Sequence, residues 1–461
     1  MNAIGSDAID VAIVGGGIAG LAAAYGLRKR GLAVRVLEAA SRPGGVITTE
    51  RTGGWVLDGG PDSLLVQKPA AVDLCRELGI ANRLVPTLTP RTAFVVREGH
   101  LHPLPEGSFL GFPLTLASLA QSRLFSAAGK LRMALEVVTP RRRDDEDESI
   151  GAFVGRRFGR EAVHYLAEPL LAGIHAGDVD RLSMRALFPR LVEAERRSGS
   201  VIRALRALRV RPSPDGAFVS LLGGTGELVE ALVSGLGPDT VICDAPVVSV
   251  RRTSGYSIEW SGGLIHARSV VMAVPAYAAG ALLRPLDTRL ADQCRAVPYA
   301  STATVFLGYR REQVAHPLRG TGFVVPRVEP HALLAGTWVS SKWPARAPEG
   351  HVLLRGFLGG GRDPNRLEAN DTDLIETVRR ELRDLLGITG DAVLTRIFRW
   401  TQQSPQYEVG HLQRVAGIEQ RLESLPGLFV TGSGFRAIGI PDCISDGRAT
   451  AVRAAEYLER Q

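Results

Sequence analysis

Apolar and polar positions fall into blocks whose period changes along the chain. The apolar run Val11 to Val14 leads straight into glycines and then into a helix, and Ala33 to Leu37 predicts a second strand ending at Glu38. Asp10 to Leu57 therefore reads strand–helix–strand, then glycine turns and a short strand at Trp55 to Leu57. Pro69 to Leu78 predicts a short amphipathic helix, and Ala93 to Val96 with Leu101 to Leu104 a hairpin around Glu98-Gly99-His100. Helical periodicity dominates from Phe109 to about Leu208, interrupted by Pro113, Pro140, Pro169 and Pro189. Within it, the charged run Arg141 to Glu148 predicts an exposed loop, followed by a helix capped by Ser149. A helix is expected after Gly226, then strands at Val241 to Arg252, Ser257 to Trp260 and Ala267 to Val274. Strands and turns fill Ala303 to Gly359, a helix Asp373 to Leu386, and a buried strand Leu428 to Thr431 precedes a helix from about Cys443 to Leu458.

The first of these turns carries the most chemistry. Gly15-Gly16-Gly17-Ile18-Ala19-Gly20 is Gly-x-Gly-x-x-Gly between a strand and a helix, with Glu38 at the end of the next strand. Gly15 makes the tight turn, Gly17 admits a pyrophosphate to the backbone, and Gly20 lets helix and strand pack closely. The helix N-terminus presents free N–H groups to phosphate, and Glu38 is placed to accept from a ribose. The dinucleotide could be NAD or FAD at this point. Ser41-Arg42-Pro43-Gly44-Gly45 then offers a second glycine loop, with Arg42 as a counter-charge. Gly59-Gly60-Pro61-Asp62-Ser63 gives a further exposed-backbone turn. Gly432-Ser433-Gly434-Phe435 and Gly439-Ile440-Pro441-Asp442 form a second strand–glycine–helix unit near the C-terminal end.

Composition narrows the class. A chain of 461 residues with 45% hydrophobic content suggests two or three globular domains. The net charge of +7 is mostly arginine; the lysines are Lys29, Lys68, Lys130 and Lys342. No long basic stripe gathers this charge, which argues against nucleic acid and suits an acidic small molecule. Cys75, Cys243, Cys294 and Cys443 are scattered, without metal-ligand or redox spacing, as in a reducing cytosol. Met1 to Asp10 shows no secretory pattern, and no window of ~18 uninterrupted apolar residues occurs. The expectation is a cytoplasmic protein with peripheral membrane contact at most.

With the two glycine units in place, the chain resembles the FAD-dependent amine oxidase and protoporphyrinogen oxidase superfamily. Leu171-Ala172-Gly173-Ile174-His175-Ala176-Gly177-Asp178, with Leu182-Ser183, is similar to the protoporphyrinogen oxidase signature. Tyr407 with Gly410-His411, and Gly439 to Ile444, match the same family along nearly the whole length. Gly322-Phe323, Thr337-Trp338, Lys342-Trp343-Pro344 and Ala347 to Gly350 resemble its monoderm-bacterial branch, which oxidises coproporphyrinogen III and often accepts protoporphyrinogen IX. The resemblance implies an α/β fold: a discontinuous Rossmann-like FAD-binding domain (8–60, 215–285 and 396–461), a mixed α+β substrate-binding domain (61–90 and 286–395) and an inserted α-helical domain (91–214).

It also implies chemistry. A non-covalently held FAD takes a hydride at N5 from a methylene bridge of a porphyrinogen, an N–H proton leaves, and oxygen regenerates the flavin with formation of hydrogen peroxide. Aromatisation drives the reaction, so no strong base, metal or catalytic triad is expected. Flavin contacts carry over to Gly15 through Gly20, Glu38, Ala39, Val46, Gly60, Pro61, Asp62, Ser63, Val247, Trp400, Ile440, Pro441 and Asp442, beside Arg42, Gly45 and Gly434 from the loops. On the substrate side it points to Gly173, Phe357 and Trp338. The family's usual carboxylate-anchoring arginine is Ala93 here, so Arg91 or Arg97 takes a propionate. His175 is not expected to act as a base. Phe109 to Leu135 is expected to be helical core, a face toward a chelatase, or a membrane-resting surface. A flavin amine oxidase would carry a lysine in the substrate-domain strands, yet none occurs between Lys130 and Lys342.

Overall fold

A computed structural model describes residues 9–105, 108–207 and 216–461. Most of the Met1–Asp10 segment and the last position of the helical stretch, Leu208, lie outside the described residues.

Strand β1 (Ile9–Val14) enters helix α1 (Ile18–Arg28), which returns to β2 (Val34–Leu37). β1 is central, parallel to β2 on one side and to strand Gly263–Met272 on the other. Val241–Ile242 extends the sheet beyond β2. Tyr256–Trp260 and Val247–Arg252 add antiparallel strands, and Leu428–Val430 pairs in parallel with Gly263–Met272. Val11 and Ile13 point to one face, against α1 and the C-terminal helix Ile440–Glu459; Ala12 and Val14 point to the other. Small residues set how closely these parts meet. A Cβ on Gly20 would lie 2.1 Å from the Gly15 carbonyl oxygen, and one on Gly447 2.3 Å from that of Ala19. Both lie under the 3.0 Å that real Cβ atoms essentially never show.

A second seven-stranded sheet runs Leu394–Pro405, Tyr299–Arg310, His351–Gly359, Ala335–Trp338, Gly322–Val324, Ala93–Arg97, His100–Pro103. Helix Asp371–Leu386 covers its back, burying Val305, Leu307, Leu354 and Leu358 with Leu374, Val378 and Leu382. Two domain limits change as a result. Residues 91–103 were expected with the helices, but their hairpin is the edge of this sheet, because Ala93–Val95 pairs in parallel with Gly322–Val324. Residues 396–405 were expected in the dinucleotide domain, but Leu394–Pro405 forms the opposite edge, paired with Tyr299–Arg310.

The helical region packs on the front of the second sheet, where Val95 and Val324 meet Phe112, Phe153 and Leu166. Ser149 caps helix Ile150–Phe158, accepting from the Ala152 N–H at 3.1 Å. The charged run before it is largely exposed, as expected, and also paired. Asp145 pairs with Arg196, and Glu148 with Arg156, so the run is tied to the helices. At the centre of the bundle, fully buried Arg157 and Glu136 pair, and Ser200 and the Val201 N–H also donate to the carboxylate. Removing one partner of such a pair strands a charge, at a cost of about 3–5 kcal/mol. Among the described residues, no helix is long and apolar enough to cross a membrane.

Candidate active site

The N-terminus of α1 has no side-chain cap: Gly17 stands at the N-cap, and a Cβ there would meet nothing within 4 Å. The helix end therefore offers its free N–H groups and positive dipole end to open space. The C-terminal helix starts in the same way, with Gly439 at its N-cap, no side-chain cap, and Pro441 in the first turn. Each of these uncapped helix ends follows a glycine loop and suits an anionic group. Glu38 lies beside the glycine turn, its carboxylate accepting from Gly16 N at 2.6 Å and Ala40 N at 2.8 Å.

Three further segments converge here. Gly44 bridges to Gly17 and donates to the Gly16 carbonyl at 2.8 Å, which brings Gly45 and Val46 beside the helix end. A Cβ on Gly60 would fall 1.8 Å from the Val46 carbonyl oxygen, so only glycine allows the turn 59–63 to lie there. Lys68, just past that turn, pairs with Asp442 at 2.6 Å. Ala245 N donates to the Glu38 carbonyl at 2.8 Å, which brings the segment before Val247 beside Glu38 and Ala39.

Two loop residues also have structural work. Arg42 donates to the carbonyls of Pro43, Gly45 and Ile47, so its fork shapes its own loop. Burial lowers its guanidinium from the ordinary value, and Glu38 acts against that. Gly434 is needed for packing, because a Cβ would meet the Tyr299 hydroxyl at 2.5 Å. Its loop is held by Tyr407, which donates to the Ser433 carbonyl at 2.8 Å and stacks on His411 at 3.7 Å.

The turn 59–63 is fastened to the front of the second sheet. Thr304 Oγ1, Trp400 Nε1 and Arg355 Nη2 all donate to the Gly59 carbonyl, at 3.0, 2.9 and 3.0 Å. Asp62 accepts from Lys342 at 3.0 Å and from Trp343 Nε1 at 3.2 Å. Burial alone would raise the Asp62 carboxyl, but Lys342, Arg355 and Trp343 together hold it well below the usual range. Arg355, Lys342 and Thr304 were not anticipated from the sequence. An arginine inside the apolar run Leu353-Leu354-Arg355-Gly356-Phe357, in step with Phe357, was the available signal.

On the substrate side, Phe357 lies in register with Thr304 and Ala335 on this front face. The Gly173–Asp178 loop sits at the ends of the same strands. Gly361 N donates to the Ala176 carbonyl at 2.7 Å, and Ser404 and Gln406 donate to the His175 carbonyl. A Cβ on Gly173 would meet only the Glu168 carbonyl, at 3.6 Å, so space beside it is open. Trp338 is a correction. It pairs with Leu354, so it points to the back, buried against Phe94 and His316 and away from the front-face residues. Arg97 shares the front parity of Val95, over the Tyr165 ring at 5.2 Å and donating to the Leu124 carbonyl. Arg91 donates to the Thr87 carbonyl beside the three-stranded sheet that Phe218–Leu221 forms with Leu64–Leu65 and Leu84–Pro86. Burial, then the Lys68 charge, push His175 down to about 4, so its imidazole is neutral at pH 7.

Fold and site together define a dinucleotide-binding oxidoreductase built on two mixed seven-stranded sheets. The chain matches the flavin containing amine oxidoreductase family over residues 18–455 and belongs to it, so its cofactor is a flavin. It is 36% identical to the coproporphyrinogen III oxidase of Bacillus subtilis, over 97% of this chain and 98% of that one. It is 30% identical to the chloroplastic protoporphyrinogen oxidase of Nicotiana tabacum, over 98% of this chain and 86% of that one. A solved Exiguobacterium structure named for a protoporphyrinogen oxidase matches with a TM-score of 0.88 at 32% identity, over 99% of this chain and 100% of that one.

Two outcomes are expected. Gly17→Val, with open space for its side chain, folds with a melting temperature near the parent's but purifies without flavin colour. Gly20→Val, forced against the Gly15 carbonyl, loses stability as well; thermal melts and visible flavin absorbance separate the two. His175 has a lowered pKa in the fold, so its contribution to stability is full above about pH 6.5 and is lost as pH falls toward about 4. The melting temperature of His175→Phe should therefore fall less than the parent's between these pH values.

Proposed function

We propose that the chain is an oxygen-dependent oxidase that converts coproporphyrinogen III to coproporphyrin III in haem biosynthesis, with FAD bound non-covalently. The near full-length similarity to coproporphyrinogen III oxidases of Bacillus subtilis, Staphylococcus aureus and Propionibacterium freudenreichii, at 36%, 32% and 33% identity, carries this reading. When bound, the flavin supplies the hydride acceptor. The ends of α1 and the C-terminal helix would take its phosphates, and Glu38 its ribose. Phe357 offers a ring face to a pyrrole beside the open space at Gly173. Arg97, on the same face, has the charge and fork geometry for a propionate. Neutral His175 contributes polar surface there, not a proton.

Non-covalent attachment is supported by Cys443, the cysteine nearest the second helix end. Burial pushes its thiol up to about 12, and Sγ donates to the Ala437 carbonyl, so it is no nucleophile. In residues 109–135, Phe112, Leu119, Leu124, Phe125 and Met133 are buried core, while Leu116, Leu131 and Leu135 are exposed. Those three leucines would serve contact with a chelatase that receives the product, or peripheral contact with the inner face of the membrane, for a protein working in the cytoplasm. Protoporphyrinogen IX is the alternative substrate, favoured by the name borne by the Exiguobacterium structure.

The test is initial-rate porphyrin fluorescence in air, with both porphyrinogens side by side and peroxide monitored. A higher kcat/KM for coproporphyrinogen III is expected. A preference for protoporphyrinogen IX would shift the assignment to that substrate, and no turnover of either by flavin-loaded protein would remove it. Acid precipitation should release all the FAD into solution.

A further inference from the structure

The turn 59–63 rests on a buried group of charges. Arg346 is 1% exposed; its Nη2 lies 3.2 Å from Asp58 and donates to Ser220 and the Leu221 carbonyl. Lys342 reaches both carboxylate oxygens of Asp62 at 3.0 Å. Arg355 is 4% exposed and lies over the rings of Phe306 and Phe357, 5.1 and 4.4 Å from their centroids. Its Nη2 donates to the neutral carbonyls of Gly59 and Gly60, at 3.0 and 2.7 Å, and its buried Nε has no hydrogen-bond partner.

Three cations thus face two carboxylates, which leaves one net positive charge. Lys342 and Arg346 each hold a carboxylate; Arg355 has none within 4.0 Å among the described residues. Burial pushes Arg355 down to about 10, with Asp62 and Asp58 opposing, so it is still charged at neutral pH. Its net positive field is poorly screened, because water is excluded. The ring contacts stabilise the cation without neutralising it. An uncompensated cation fixed under a turn is costly to bury, and a ligand that gains negative charge above the turn would offset that cost.

We propose that Arg355 is a positioning residue that sets the reduction potential of the flavin, as the unneutralised cation beneath the turn that holds it. This rests on the flavin-binding reading of residues 60–63. Reduction of the flavin adds negative charge, and Arg355 stabilises that charge through space. It also fixes the turn through the Gly59 and Gly60 carbonyls, and the two roles are separable.

Sulfite separates them. It adds reversibly to an oxidised flavin and leaves the ring negatively charged, so its affinity, followed by loss of visible absorbance, reports positive potential at the ring. Arg355→Met, loaded with FAD, is expected to bind sulfite about tenfold or more weakly than the parent. Its flavin potential, measured by dye equilibration, should fall. Arg355→Lys should stay near the parent. Asp62→Asn removes a negative charge from the same group and must move both readouts the opposite way, which also covers the case that Arg355→Met does not fold. Thr304→Val removes an uncharged donor to the same carbonyl and should leave sulfite affinity close to the parent's. Unchanged affinity in Arg355→Met, the same sign in Asp62→Asn, or an equal loss in Thr304→Val would overturn the proposal. A parent protein that takes up no flavin would instead contradict the reading it rests on.

Discussion

The carbonyl of Gly59 ties the dinucleotide domain to the second seven-stranded sheet. It leaves the dinucleotide domain at the end of strand Trp55–Asp58 and accepts from Thr304, Arg355 and Trp400 of the second sheet. A carbonyl oxygen has two lone pairs, so three donors at about 3 Å leave it no freedom to turn. The residue before it is pinned as firmly: Asp58 accepts from Thr49 and from both the N–H and the hydroxyl of Thr225. The turn that follows lies against the Val46 carbonyl at Gly60 and is held at Asp62 by Lys342 and Trp343.

The rest of the site follows from that junction. Glycines let backbones meet where side chains would collide, which brings α1, the loop at Gly45 and the turn at Gly60 into one place. Charges do the complementary work on the far side of the turn, where burial makes each ion pair strong and each unpaired ion expensive. The dinucleotide end is thus built from backbone dipoles, and the sheet end from side chains. A cofactor spanning both would have its phosphates at the first and its reactive ring at the second.

The local parts of this arrangement were legible in the sequence. The glycine spacing, Glu38 and the capping Ser149 each depend on residues within a few positions, or on one strand–helix–strand unit. What was not legible depends on pairing across long stretches of chain. The hairpin Ala93–Pro103 was expected as a hairpin, but its partner Gly322–Val324 is more than two hundred residues away. Trp338 and Phe357 are both aromatic residues in apolar strands, and only the register of Trp338 with Leu354 puts the first behind the sheet. A strand's alternation gives two faces without saying which is inward, and pairing decides. The buried charges were missed for a related reason: Arg355, Arg346 and Lys342 meet Asp58 and Asp62 only after the sheets dock.

The central claim is that a porphyrinogen meets the flavin at the junction of the two sheets. The most direct measurement is a single turnover under nitrogen, with FAD-loaded protein mixed with coproporphyrinogen III and the visible spectrum followed. The account predicts that the flavin absorbance bleaches and returns, with porphyrin bands growing, only when air is admitted. A flavin that stays oxidised in the presence of the porphyrinogen, yet bleaches with a simple amine, would contradict it.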